Sequence, residues 1–93
     1  MKYEWDEEKN IENFRKHRIW FEEAQVIWTD EKSIEFYDNF HSGFEDRWIR
    51  IGFNQKKGIL LVIYCERGGD DIIRIISARL AVEEEKTFYW FGV

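Results

Sequence analysis

The chain has 93 residues, enough for one domain with a modest core. Its formal net charge of −5 argues against nucleic-acid binding over a broad surface, while leaving room for a small basic cleft on an acidic body or for a basic protein partner. Aromatic residues make up 18% of it, with five Trp and eight Phe, so the core is expected to be built on large rings.

Lys2-Tyr3-Glu4-Trp5 reads as a short strand with Tyr3 and Trp5 on one face. Asp6 is a candidate N-cap for the helix that follows. Glu7 and Glu8 suit its positive end, and Lys16, His17 and Arg18 its negative end. Ile11 and Phe14 lie three apart and share a face of that helix. A second short helix fits residues 21–28, with Phe21, Ala24 and Trp28 as its stripe. Residues 33–37 alternate as a strand, with Ile34 and Phe36 inward and Glu35 outward.

Residues 38–46 form a polar loop, D-N-F-H-S-G-F-E-D. Residues 47–53 alternate again, with Ile49, Ile51 and Phe53 on one side and Trp48 and Arg50 on the other. A turn at 54–58 leads into two apolar runs, 58–67 and 71–79, joined by Gly68-Gly69-Asp70 as a β-hairpin. Residues 82–91 begin with three Glu and end in rings, which fits a terminal helix. The predicted fold is α+β, a single domain over 1–93. A four- to five-stranded antiparallel sheet carries the N-terminal strand at its edge. Two N-terminal helices and one C-terminal helix cover one face.

The hairpin charges are oddly placed. Arg67 stands where the first strand meets its turn, Arg74 interrupts a run of four isoleucines, and Arg79 ends the second strand. A guanidinium among isoleucines must stay hydrated or paired, because burying it alone is costly. This pattern suggests a sheet face on which guanidinium groups meet an anion.

Several short pieces stand in order along the chain: Glu4-Trp5-Asp6-Glu7, Lys16-His17, Phe21-Glu22-Glu23-Ala24, His41-Ser42 followed by Glu45-Asp46-Arg47-Trp48, Glu66-Arg67-Gly68, and Arg74-Ile75-Ile76-Ser77-Ala78-Arg79. In order and spacing, residues 3 to about 85 resemble the BrnT family of toxins from type II toxin–antitoxin systems. The resemblance implies a RelE-like ribonuclease fold, an RNA substrate and a cytoplasmic bacterial protein. It also implies inhibition by a small ribbon-helix-helix antitoxin (BrnA-like) that represses their shared operon, so that operator DNA is met only through the complex. The chain departs from the family at Leu80, where Arg is frequent, at Val82, where Ser or Thr commonly opens the last helix, and at Trp20, frequently Ser. The last helix is usually rich in Arg, and here it reads Glu83-Glu84-Glu85-Lys86.

RNA cleavage without a metal needs a base for the 2′-hydroxyl proton, an acid for the leaving oxygen, and fixed positive charge at the phosphorane. His41 can trade a proton near neutrality. Glu45 follows four residues later, and Arg67, Arg74 and Arg79 offer the planar fork that fits a phosphate. Each has a plainer reading: His41 bonded to Asp38, Glu45 paired with Arg47, Arg74 tied to Glu66 or Glu45, Arg67 an ordinary turn residue. Trp5 and Trp48 can stack on bases or pack in the core, and Lys16 can contact RNA or simply complement the end of the first helix. Phe88, Trp90 and Phe91 either fold back as core or mark a partner surface.

His17 and His41 are far apart, and Asp38-x-x-His41-x-x-x-Glu45 is not a zinc spacing, so no metal site and no cofactor is expected. Cys65 falls in an apolar strand and reads as a buried reduced thiol. No apolar window is long enough for a membrane span, and the first residues do not form a signal peptide. Nothing in the sequence sets an oligomeric state. Three functions stand in order: an RNA endonuclease toxin; a non-enzymatic or decayed toxin acting as co-repressor with its antitoxin, favoured by the acidic last helix; and a metal-dependent hydrolase centred on His41.

Overall fold

The computed structural model describes residues 1–69 and 71–92. Its elements are β1 (Lys2–Glu4), α1 (Glu7–His17), α2 (Phe21–Ala24) continued by a 3₁₀ segment (Gln25–Thr29), β2 (Ile34–Tyr37), β3 (Trp48–Asn54), β4 (Gly58–Arg67), β5 (Ile72–Leu80) and α3 (Glu83–Phe91). Asp6 caps α1 as expected, its carboxylate accepting the N–H of Glu8 at 2.9 Å and of Lys9 at 3.3 Å. The hairpin turn has Gly68 and Gly69 at φ +60° and +69°, the left-handed region glycine enters without strain. Asp70, the third residue assigned to that turn, lies outside the described residues. No helix among the described residues is long and apolar enough to cross a membrane.

The sheet order is β1-β5-β4-β3-β2. The last four strands in sequence are antiparallel neighbours, β3–β4 and β4–β5 joined by short turns and β2–β3 by the 38–47 loop. β1 joins the outer edge of β5 in parallel, Lys2 opposite Ile72 and Glu4 opposite Arg74, so the sheet is mixed rather than wholly antiparallel. The chain makes a long excursion between these two strands and can return in the same direction, which a tight turn does not permit. Along β4 and β5, Ile63 faces Ser77 while Tyr64 faces Ile75, so Ile76 is an extra, bulged residue.

The helices do not share one face. Leu60, Val62 and Tyr64 of β4 pack with Ile19, Phe21, Ala24 and Ile27 from the α1–α2 side. Ile59 and Leu61 pack with Ile51, Ala81 and Tyr89 of α3 on the other. The cause lies in β4: residues 59–64 are apolar at every position, so both faces need cover. The second helix is α only to Ala24 and tightens to 3₁₀ afterwards, which brings Ile27 hard against β3. A Cβ on Gly52 would lie 2.8 Å from the Cβ of Ile27. Glu35, expected outward, lies on this helix-bearing face, where the Tyr64 hydroxyl donates to it and Arg50 pairs with it at 3.1 Å.

The buried face of α1 is polar. Ile11 is exposed, whereas Asn10 and Asn13 are buried. Asn10 donates to Glu22 at 2.8 Å and accepts the N–H of Phe21 at 2.7 Å, joining α1 to the start of α2. Asn13 donates to the carbonyls of Ile19 and Ala78, each at 2.8 Å, and accepts the N–H of Ala78 at 3.1 Å. Its carboxamide thus serves the β5 backbone beyond the reach of β1, where a neighbouring strand would otherwise bond. Removing it leaves one buried N–H and two buried carbonyls short of a partner, at about 1–3 kcal/mol for each group left unsatisfied. Asn13→Ala should therefore lower the unfolding free energy by roughly 2 kcal/mol or more in urea titration; a loss below about 0.5 kcal/mol would show that water replaces the amide at no cost.

Candidate functional site

The face that bears α3 is only partly covered by it. Because β4 alternates regularly, Ile63, Cys65 and Arg67 continue the side of Leu61, and across the hairpin Arg79 stands opposite Leu61 and Arg74 opposite Cys65. All three arginines of the hairpin therefore emerge on one side. A cavity of about 360 Å³ opens there beside α3. Phe36, Ile49, Ile63 and Phe88 give it apolar walls, while His41 and Arg79 meet Asp38, Glu84 and Glu85 at its polar rim.

His41 is delivered by the loop between β2 and β3. The loop is closed at its neck, where Asp38 N–H donates to the Arg47 carbonyl at 3.0 Å. The Ser42 hydroxyl donates to the Asp38 carbonyl at 2.7 Å and accepts the Arg47 N–H at 2.9 Å. Inside this neck Asp38 makes an Asx-type turn, accepting the N–H of Phe40 at 3.0 Å and of His41 at 3.1 Å on one oxygen. Its other oxygen lies 2.7 Å from His41 Nδ1. The Asp38 side chain is 1% exposed and that of His41 56%. His41 also lines a second cavity of about 400 Å³, shared with Phe44, Glu45 and Arg47.

Every hairpin arginine has an internal carboxylate. Arg67 lies 3.5 Å from Glu45, which is also 3.9 Å from Arg47. Arg74 pairs with Glu4 of β1 at 2.7 Å, a partner set by the parallel register. Arg79 forms a two-pronged pair with Glu85, both contacts at 2.8 Å. Glu85 also accepts the N–H of Val82 at 2.9 Å, the acidic half of a capping box at the start of α3 whose other half Val82, having no side-chain oxygen, leaves unmade. The hydrogen bonds from Arg79 hold the Glu85 carboxyl below its ordinary pKa.

The remaining expected site residues lie elsewhere. Trp5 packs edge-on against Phe21, and Trp48 edge-on against Tyr37, both bordering the helix-side core. Lys16 is on α1, 4.0 Å from Glu12. The structure does not bring these three to the face of Arg79. In the terminal cluster Tyr89 is buried, its hydroxyl donating to Asp30 at 2.6 Å, while Phe88, Trp90 and Phe91 are exposed. Glu4 and Glu85 were not foreseen as partners. Glu85 carries a usable signal, an acid three residues after the helix start, whereas Glu4 depends on a parallel pairing that spacing does not reveal.

A family model described as "Ribonuclease toxin, BrnT, of type II toxin-antitoxin system" matches residues 5–85. The crystal structure of the Brucella abortus ribonuclease toxin BrnT is similar to this chain, with 27% sequence identity and a TM-score of 0.70, covering 89% of this chain and 99% of that one. No curated protein matches the chain.

The Arg79–Glu85 pair sets a pH dependence. A carboxyl whose folded pKa is depressed adds stability above its unfolded value, here 4.5, and loses it as pH falls through the folded value. Wild-type protein should exceed Glu85→Gln in stability at pH 7, with the margin shrinking progressively below pH 4.5. Denaturant melts of both proteins across that range test it, and a margin independent of pH would refute it.

Proposed function

The chain belongs to the BrnT family of ribonuclease toxins of type II toxin–antitoxin systems, and from this premise we propose that it is itself a metal-independent RNA endonuclease held in check by a cognate antitoxin. The observation that carries the reading is the convergence of His41 and Arg79 on one apolar-walled cavity of the α3-bearing sheet face. His41 takes the proton of a ribose 2′-hydroxyl, whose oxygen then attacks the adjacent phosphorus. The bond to the 5′-oxygen breaks, leaving a 2′,3′-cyclic phosphate, and Glu45, in its protonated form released from Arg47 and Arg67, supplies the proton that the departing oxygen needs. Arg79, with Arg67 and Arg74 on the same side, stabilises the negative charge gathered on the phosphorane. The walls of the cavity limit water around these charges and so strengthen their effect.

A family of this type implies an antitoxin partner. A BrnA-like ribbon-helix-helix antitoxin fits: its Lys and Arg residues complement a body of net charge −5, and an amphipathic helix from it can lie on exposed Phe88, Trp90 and Phe91. Covering Arg67 and Arg79 as well would block RNA. Such a toxin acts in the cytoplasm, where its RNA is.

One observation favours a second reading, a toxin that has lost cleavage and serves as co-repressor. Arg67, Arg74 and Arg79 are each paired with a carboxylate of the same chain, and phosphate must displace those partners.

Expression without the antitoxin separates the two. The wild type should arrest growth and cut RNA, and cutting should survive EDTA. Arg79→Ala should restore growth and slow cleavage about a hundred-fold, since loss of one charged transition-state contact costs about 3 kcal/mol. Soluble, folded wild type without effect on growth or RNA would favour the co-repressor instead. For the partner surface, replacing Trp90 and Phe91 together with Ser should weaken antitoxin binding at least ten-fold in calorimetry and leave cleavage within about two-fold, as hot-spot aromatics commonly cost 2 kcal/mol or more. Unchanged affinity would place the antitoxin elsewhere.

A further inference from the structure

We propose that Asp38 is a positioning residue of this site, holding His41 with its proton on Nδ1 and leaving Nε2 as the nitrogen that takes the reacting proton. The inference rests on the ribonuclease reading and names a group that acts through the histidine.

Asp38 is 1% exposed at its side chain, and a carboxylate so buried is costly unless its lone pairs are used. They are: one oxygen accepts the N–H groups of Phe40 and His41, and the other faces His41 Nδ1 at 2.7 Å. Two acceptors do not sit 2.7 Å apart, so the ring nitrogen that meets the carboxylate carries the hydrogen. In the neutral ring Nε2 then has the free lone pair. The ring is 56% exposed, so a substrate hydroxyl can reach it, while the carboxylate behind it is out of reach. The carboxylate also stabilises the imidazolium that forms when Nε2 accepts a proton.

The surroundings make the arrangement rigid. Asp38 is tied through its own backbone to Arg47, and Ser42 bridges the same two residues. The turn that presents the ring is made by the same carboxylate that fixes its tautomer. Position and protonation of His41 thus have one source.

Asp38→Asn separates the two. The carboxamide oxygen can still accept the N–H groups of Phe40 and His41, so the loop is kept. Its nitrogen then donates to Nδ1, which forces the ring proton onto Nε2. Nitrogen-15 spectra of the neutral side chain should show Nδ1–H in the wild type and Nε2–H in Asp38→Asn, with His17 as internal reference. On an RNA substrate kcat should fall roughly a hundred-fold or more, the share usual for acid–base catalysis, with KM within about three-fold. In a His41→Ala background Asp38→Asn should cost nothing further. A wild-type ring protonated on Nε2, full activity in Asp38→Asn, or losses that multiply in the double variant would each overturn the proposal. The wild-type spectrum decides the tautomer even if Asp38→Asn fails to fold. Folded wild type that cuts no RNA overturns the ribonuclease reading instead, and the spectra alone then decide whether Asp38 sets the tautomer.

Discussion

The outer edge of β5 governs the molecule. β5 carries Arg74 and Arg79, yet β1 pairs only with residues 72–74 of its outer side. Beyond that point the Ala78 backbone would face a buried space without partners, and Asn13 closes it with both ends of one carboxamide. That contact fixes where α1 crosses the sheet. Asn10, one turn earlier, then fixes the start of α2 through the Phe21 N–H and Glu22. A chain of buried amides therefore assigns α1 and α2 to one face and leaves the other to α3 and the arginines. A helix docked only by greasy contacts could slide; one docked by directed hydrogen bonds has a register.

Much of this was legible from alternation, caps and turns. The strands, the Asp6 cap and the glycine hairpin follow from local chemistry, and local chemistry is what a short stretch of sequence records. The parts that were not legible are those decided across the sheet. Asn10 and Asn13 look like ordinary polar positions on a helix, and only distant backbone makes them core, the edge of β5 at Ala78 for Asn13 and the start of α2 at Phe21 for Asn10. The division of the helices was hidden because β4 is apolar at every position from 59 to 64, so neither face announces itself as the inner one. The same ambiguity let Trp5, Lys16 and Trp48 stand beside His41 and Arg79 as site residues, although the fold sends them to the helix side. The loop that holds His41 was readable as a polar loop. That its aspartate is buried was not.

The acidity of the chain is not spread evenly over its surface. Glu4, Glu45 and Glu85 each sit against an arginine of the open face. A net charge of −5 therefore says little about the potential met by a phosphate there. These pairs are partly exposed, and pairs of that kind contribute little stability, so a dianionic or well-oriented anionic ligand can compete for the same forks. Glu85 is the exception in kind, since it also starts α3.

Counting along β5 gives the bulge at Ile76 its meaning. Side chains of a regular strand alternate, so residues an odd number apart point in opposite directions. Arg74 and Arg79 are five apart, and an unbroken strand would send one guanidinium toward the helices and the other toward the groove. The extra residue resets the parity, and both face the same way. Insertion or loss of a single residue there would leave composition and charge almost untouched, yet a flip of the 72–75 segment would turn Arg74 into the helix-side core in place of Ile73 and Ile75, and Glu4 would lose the cation it now meets. In this family architecture, an indel in that strand is a change of face, not a change of length.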